Sequence, residues 1–146
     1  MSNTTIIVGL DGSEAGARAL AFAKQQAKLI GDCAIAICYV IEWSPFSFQT
    51  PEENEQRHKR REEELSMAQE RIVSPAVEET KGAGLEVEGI VKHGDVSDIL
   101  EDLAKTHKAS QIVVGRVGAR GIKERLFGGV TGRLVAASSV PVTIIP

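Results

Sequence analysis

Short runs of β-branched and aliphatic residues alternate along this chain with longer stretches of helical periodicity, and that alternation limits what it can fold into. Thr5-Ile6-Ile7-Val8-Gly9-Leu10 is almost wholly apolar, as a strand buried on both faces must be. Asp11-Gly12-Ser13 ends it, with Ser13 as N-cap and Glu14 placing negative charge in the first turn of a helix. Ala19, Leu20, Ala23, Ala27 and Ile30 form the inward stripe of that helix, and Gly31 is placed to stop it. Cys33 to Ile41 reads as a second strand. Glu52 to Lys81 reads as one long helix that Pro75 should kink or break, because proline lacks an N–H and crowds the preceding turn.

The second half repeats the alternation. Leu85, Val87, Gly89 and Val91 alternate with more polar neighbours, which predicts a third strand with one wetter face, at a sheet edge. Asp95 is a natural N-cap for a helix whose stripe is Val96, Ile99, Leu100, Leu103 and His107. Ser110 to Gly115 is a fourth strand, Val130 to Ser138 a helix, and Val140 to Ile145 the last strand. Such β-α alternation predicts one domain over residues 1–146, an α/β fold with a doubly wound parallel sheet, helices on both faces and right-handed crossovers.

Composition narrows the function. A formal net charge of −3 over 146 residues argues against nucleic acid, which wants a basic face. The basic run Arg57 to Arg61 is followed at once by Glu62, Glu63 and Glu64, and reads as part of a solvated helix face. No apolar stretch approaches the ~20 residues of a membrane helix, and Met1 to Thr5 lacks the pattern of a signal peptide, so a cytoplasmic protein away from membranes is expected. Cys33 and Cys38 lie on one strand at a spacing that puts them on opposite faces, too far apart to bridge. The loop from Trp43 to Pro51 carries Trp43, Phe46 and Phe48, which either line a partner surface or fold back over the core.

The most specific stretch lies between the fourth strand and the last helix: Gly115-Arg116-Val117-Gly118-Ala119-Arg120-Gly121-Ile122-Lys123-Glu124-Arg125-Leu126-Phe127-Gly128-Gly129-Val130-Thr131. Glycines let backbone approach an anion without a Cβ in the way, and a helix start offers unpaired N–H groups at the positive end of a dipole. Arg116, Arg120, Lys123 and Arg125 add a positive balance that would favour an anion, although each also reads as an ordinary solvated loop charge.

The spacing Gly115, two residues, Gly118, nine residues, Gly128 resembles the G-x2-G-x9-G-[Ser/Thr] signature of the ATP-binding branch of the universal stress protein family. The opening Val8 to Ser13 and the ending Ser139 to Ile145 are similar to that family's first strand and last strand, so the resemblance covers the whole chain. It departs at Gly129, where the family has Ser or Thr. The resemblance implies strand order 3-2-1-4-5, with a topological switch between strands one and four, where open α/β sheets bind ligands. It implies an adenine nucleotide, ATP or AMP, as ligand, and leaves open a cyclic nucleotide and an accompanying Mg2+. The residues it points to are Asp11 and Val40 at the adenosine end, then Gly115, Gly118, Gly128, Gly129, Val130 and Thr131 around ribose and phosphates. It also implies a homodimer through the C-terminal strand, consistent with the apolar run Val140 to Ile145. Asp11 has a second reading, as a turn residue bonding its own backbone.

Catalytic groups are poorly supplied. There is no G-x4-GK-[ST] phosphate loop, and His58, His93 and His107 fall on separate elements. Two readings therefore stand: a nucleotide-binding regulatory stress protein with little or no hydrolysis, or a nucleotide-independent dimeric stress or scaffold protein whose loop has lost its ligand. Gly129 divides them.

Overall fold

The computed structural model describes residues 3–42, 50–116 and 129–146. Five parallel strands form one sheet in the order β3-β2-β1-β4-β5. They are β1 (Thr4–Leu10), β2 (Cys33–Glu42), β3 (Val87–Gly94), β4 (Gln111–Gly115) and β5 (Val142–Ile145). The helices are α1 (Glu14–Ile30), α2 (Pro51–Ala68), α3 (Ser74–Gly82), α4 (Val96–Thr106) and α5 (Gly129–Ala137). The strand order and the two edges, β3 and β5, are as expected from the sequence.

The sheet separates two cores. Ile6, Val8, Leu10, Ile35, Ile37 and Val113 meet Ala19, Leu20, Ala23 and Ala27 of α1 and Ala76 of α3 on one face. Ile7, Ala36, Cys38, Ile112 and Val114 meet Leu100 and Leu103 of α4 and Leu134 of α5 on the other. Cys33 belongs to the first core and Cys38 to the second, so the two thiols stand on opposite faces as the odd spacing requires. Burial pushes the Cys38 thiol up to about 12 and raises that of Cys33, with Asp32 adding to the rise.

The caps read from sequence are present. Ser13 Oγ accepts from Gly16 N, Asp95 accepts from Asp98 N, and Gly31 closes α1 with φ 97°. α2 carries a full capping box, in which Thr50 and Glu53 bond each other's backbone N–H, with Pro51 in the first turn. Two expectations need adjustment. Ile30, the last residue of α1, is 46% exposed and lies outside the buried stripe. The expected single helix from Glu52 to Lys81 is interrupted by a π-helical turn, Gln69–Val73, just ahead of Pro75, which sits in the first turn of α3. Proline is tolerated there because the N–H it lacks is bonded least in a first turn. Observed strands begin later than expected, at Val87 and Val142, where pairing to β2 and β4 begins.

The π turn lets the rod lie close on β3. A Cβ at Gly89 would stand 2.6 Å from Val73 Cγ1 and 2.7 Å from Val77 Cγ2. Both are stiff β-branched side chains, and Val73 is fully buried. Gly89→Ala should therefore destabilise the fold by about 1–3 kcal/mol through overpacking, read as a lower urea midpoint with an unchanged m-value.

Candidate nucleotide site at the carboxyl edge of the sheet

Three of the expected site residues, Asp11, Val40 and Gly115, lie at the carboxyl ends of three neighbouring strands. Leu10 of β1 pairs with Tyr39 of β2, and Gly9 pairs with Val114 of β4. Asp11 therefore lies level with Val40, and Gly115 one residue lower, level with Leu10, so the three end within one residue of each other on adjacent strands, spanning roughly 10 Å at ~4.8 Å per strand. Crossovers leave on opposite faces here: the β1 connection enters α1, while β4 leads toward α5. That is the switch point where a doubly wound sheet opens a crevice.

Asp11 is exposed, and its Oδ1 accepts from Ser13 N at 3.0 Å and from Ser13 Oγ. Its role as a turn residue is thus realised, with the carboxylate folded over the start of α1. Gly16 permits this, since a Cβ there would stand 3.0 Å from Asp11 Oδ1. Gly115 is pressed against the same helix start. A Cβ on it would lie 2.8 Å from the Ala15 carbonyl carbon and 3.0 Å from Gly16 N. Backbone cannot yield as a flexible side chain does, so glycine is required for β4 to end there. Arg116 follows, exposed, its N–H donating to Ile145 O at 2.7 Å. Val40 is half-buried and packs against the core beneath α4.

Gly118, Gly128 and the loop cations Arg120, Lys123 and Arg125 lie outside the described residues, as do Trp43, Phe46 and Phe48. Gly129, Val130 and Thr131 form the first turn of α5, and Thr131 is buried. The start of α5 is thus placed in the fold, though the strand-to-helix connection before it is not described.

The sequence reading missed what holds α5 in place. Arg133 Nη2 lies 3.4 Å from Asp95 Oδ1, tying α5 to the N-cap of α4. Ser139 N donates to both oxygens of Glu101 on α4, at 3.0 and 3.1 Å. Burial would raise the Glu101 carboxyl, but the hydroxyl and N–H of Ser139, with Ser138 and Lys105, bring it below its ordinary value. Asp95 is also held low, first by the Asp98 N–H, then by the Ser97 hydroxyl, against slight desolvation and with help from Arg133. Asp95 was legible as a cap, but its pairing with Arg133, 38 residues away, has no local signal.

Among the described residues, no group of three or more His, Cys, Asp or Glu side chains could hold a metal ion, and no helix is long and apolar enough to cross a membrane. His107 is engaged structurally, its ring nitrogens 3.0 Å from Leu103 O and Glu88 Oε2.

Comparison with known proteins agrees with this fold. The model of the universal stress protein family matches residues 2–146. Universal stress protein YxiE of Bacillus subtilis (strain 168) is 29% identical over 151 residues, covering 96% of this chain and 97% of the relative. Universal stress protein UspA from Lactobacillus plantarum shares the fold at a TM-score of 0.84 and 21% identity, covering 100% of this chain and 99% of that one. A universal stress protein solved in complex with cAMP aligns at a TM-score of 0.66 and 27% identity, covering 99% and 98%.

Asp95→Ala should cost about 1 kcal/mol as a lost N-cap. Because the folded carboxyl is held low, its contribution is present above the ordinary carboxylate range and is lost as pH falls through the lowered value. The stability gap between wild type and variant, followed by denaturant titration, should close on acidification below about pH 4.

Proposed function

We propose that this chain, which belongs to the universal stress protein family, binds an adenine nucleotide, ATP or AMP, as a regulatory ligand and turns it over slowly or not at all. One observation carries the reading: parallel register ends Asp11, Val40 and Gly115 within one residue of each other at the switch point of the sheet. The relative solved with cAMP supports an adenine ligand at such a fold. In this reading Asp11 and Val40 meet the adenosine end. Gly115 and Gly118 let backbone pass close to the ribose, and the amides of Gly128, Gly129, Val130 and Thr131 face the phosphates. Slow turnover follows from the absence of a phosphate-loop lysine motif and of a general base placed by the sequence.

The same family membership supports a homodimer. β5 is an edge strand, its four residues half-buried, and Val135 on the neighbouring α5 is 52% exposed. A second copy pairing along β5 would satisfy that edge and cover the apolar surface beside it. Light scattering at micromolar concentration should give twice the chain mass, and only monomer would overturn the dimer.

Gly129 sets the expected affinity. Glycine in place of Ser or Thr keeps the backbone N–H and removes one hydroxyl. A hydrogen bond to a charged phosphate contributes about 1.5–3 kcal/mol, so its loss weakens binding roughly ten- to a hundredfold at ~1.4 kcal/mol per tenfold. Calorimetry should show weak ATP binding by wild type, tightened by Gly129→Ser and abolished by Gly118→Val, whose side chain would block backbone approach. If neither wild type nor Gly129→Ser binds nucleotide, the loop is structural and the protein is a nucleotide-independent dimeric scaffold.

A further inference from the structure

The turn that follows β1 has a hinge in its middle. Asp11 Oδ1 accepts from Ser13 N at 3.0 Å and from the Ser13 hydroxyl. Ser13 Oγ in turn accepts from Gly16 N at 3.0 Å, in the first turn of α1. Gly12 stands between Asp11 and Ser13 and brings no side chain to this network. Its φ is 81°, a conformation that glycine enters and leaves with equal ease.

The flank of that hinge is covered from the rod formed by α2, the π turn and α3. Outside the turn itself, Ile72 Cδ1 is the one heavy atom among the described residues within 4 Å of the place a Cβ on Gly12 would take. It stands there at 3.6 Å, an ordinary van der Waals distance. Ile72 is half-buried and packs against the core that α1 shares with β1 and β2. It belongs to the π turn, Gln69–Val73. Its neighbour Val73 is fully buried and packs onto Gly89 of β3. Two adjacent residues thus serve two places, the edge strand β3 and the turn after β1, with β2 between them. A π turn is wider than an α turn, so successive residues rotate less about its axis and both stay toward the sheet.

We propose that Ile72 is a positioning residue for the candidate site: its Cδ1 backs Gly12 and holds the Asp11-Gly12-Ser13 turn in the shape that sets the Asp11 carboxylate. For its ligand the inference rests on the nucleotide-binding reading above. Ile72 acts through Gly12 and not on the ligand. With open space beside it, Gly12 samples both signs of φ, and each excursion swings the peptide planes that join Asp11 to Ser13. The bonds between Asp11 and Ser13 then open. A ligand that needs the closed turn loses affinity in proportion to the fraction of molecules that have left it.

Four proteins test this: wild type, Ile72→Val, Ile72→Leu and Val77→Ala. Valine removes Cδ1 and little else, while leucine keeps a δ carbon at similar reach. Val77→Ala trims the same core beside Gly89, away from the turn. Amide hydrogen exchange followed by NMR reads the turn without ligand. Ile72→Val should speed exchange of the Gly16 amide, bonded to Ser13 Oγ, about tenfold relative to the Asp98 amide, its counterpart at the cap of α4. Calorimetry should show affinity for ATP and adenosine falling together by about three- to tenfold, since both ligands share the adenosine end. Leucine should restore exchange and affinity. Val77→Ala should lower the urea midpoint yet leave the exchange ratio and both affinities within about twofold of wild type. An unchanged exchange ratio in Ile72→Val, or faster exchange with unchanged affinity, would overturn the positioning role and leave nucleotide binding standing. The same losses in Val77→Ala would also overturn it, by marking a general loosening of the rod. No binding of ATP or adenosine by wild type would overturn both.

Discussion

The structure depends on the central strand. Ile6, Ile7 and Val8 of β1 are fully buried, facing α1 on one side and α4 on the other. Each such side chain contributes about 1.5–3 kcal/mol by leaving water, and both flanking strands take their register from β1. Thr4 to Leu10 pairs residue for residue with Cys33 to Tyr39, and Ile6 to Gly9 pairs with Gln111 to Val114. A slip of one residue would turn every apolar side chain of β1 to the wrong core. The levels at which Asp11, Val40 and Gly115 end, within one residue of each other, are therefore fixed by core packing.

A second constraint sharpens the first. The start of α1 is pushed onto the end of β4, with Gly115 against Ala15 and Gly16, and Gly16 in turn under the Asp11 carboxylate. Two glycines on separate elements thus bring two loops together where larger residues would hold them apart. Sequence spacing identified Gly115 through a motif and gave it a ligand-facing reason. The structure gives it a packing reason as well, and the two are compatible: backbone that admits a helix terminus at close range also presents a narrow, featureless edge.

Much of the fold was legible because its signals are local. The Ser13, Asp95 and Gly31 caps, the wet face of β3 and the opposite faces of Cys33 and Cys38 each follow from a few adjacent residues. What stayed hidden depends on partners distant in sequence. The π turn at Gln69–Val73 carries no composition cue; it answers to Gly89, which admits Val73 and Val77 at close range. Pro75 drew attention to the right stretch for a related reason, since it stands where the rod resumes as α3. Arg57 and Arg61 looked like part of a solvated run, because their half-burial comes from the sheet-facing stripe they share with Ala68 and Ile72. The register of β1 on β2 sets Asp11 level with Val40, whereas the ties that hold α5 were not foreseen.

Those ties decide how the Gly129 to Thr131 turn is presented. α5 has nine residues, too short to be helical alone in water. Leu134 anchors it fully buried in the core beneath α4. One buried leucine fixes depth but leaves rotation and tilt loosely specified. The charge-assisted contacts supply what is missing: Arg133 to Asp95 at its middle, and the Ser139 amide to Glu101 just past its end. Both partners lie on α4, whose apolar stripe packs through Leu100 and Leu103 into the same core as Ile7 of β1. The orientation of the Gly129 to Thr131 turn is thus inherited from α4. Asp11 and Val40 take their positions directly from the strands, while the Gly129 to Thr131 turn takes its position at one remove, through two surface-accessible polar ties. Of the two, the α5 turn is the one that salt and acid can loosen while the sheet stays intact.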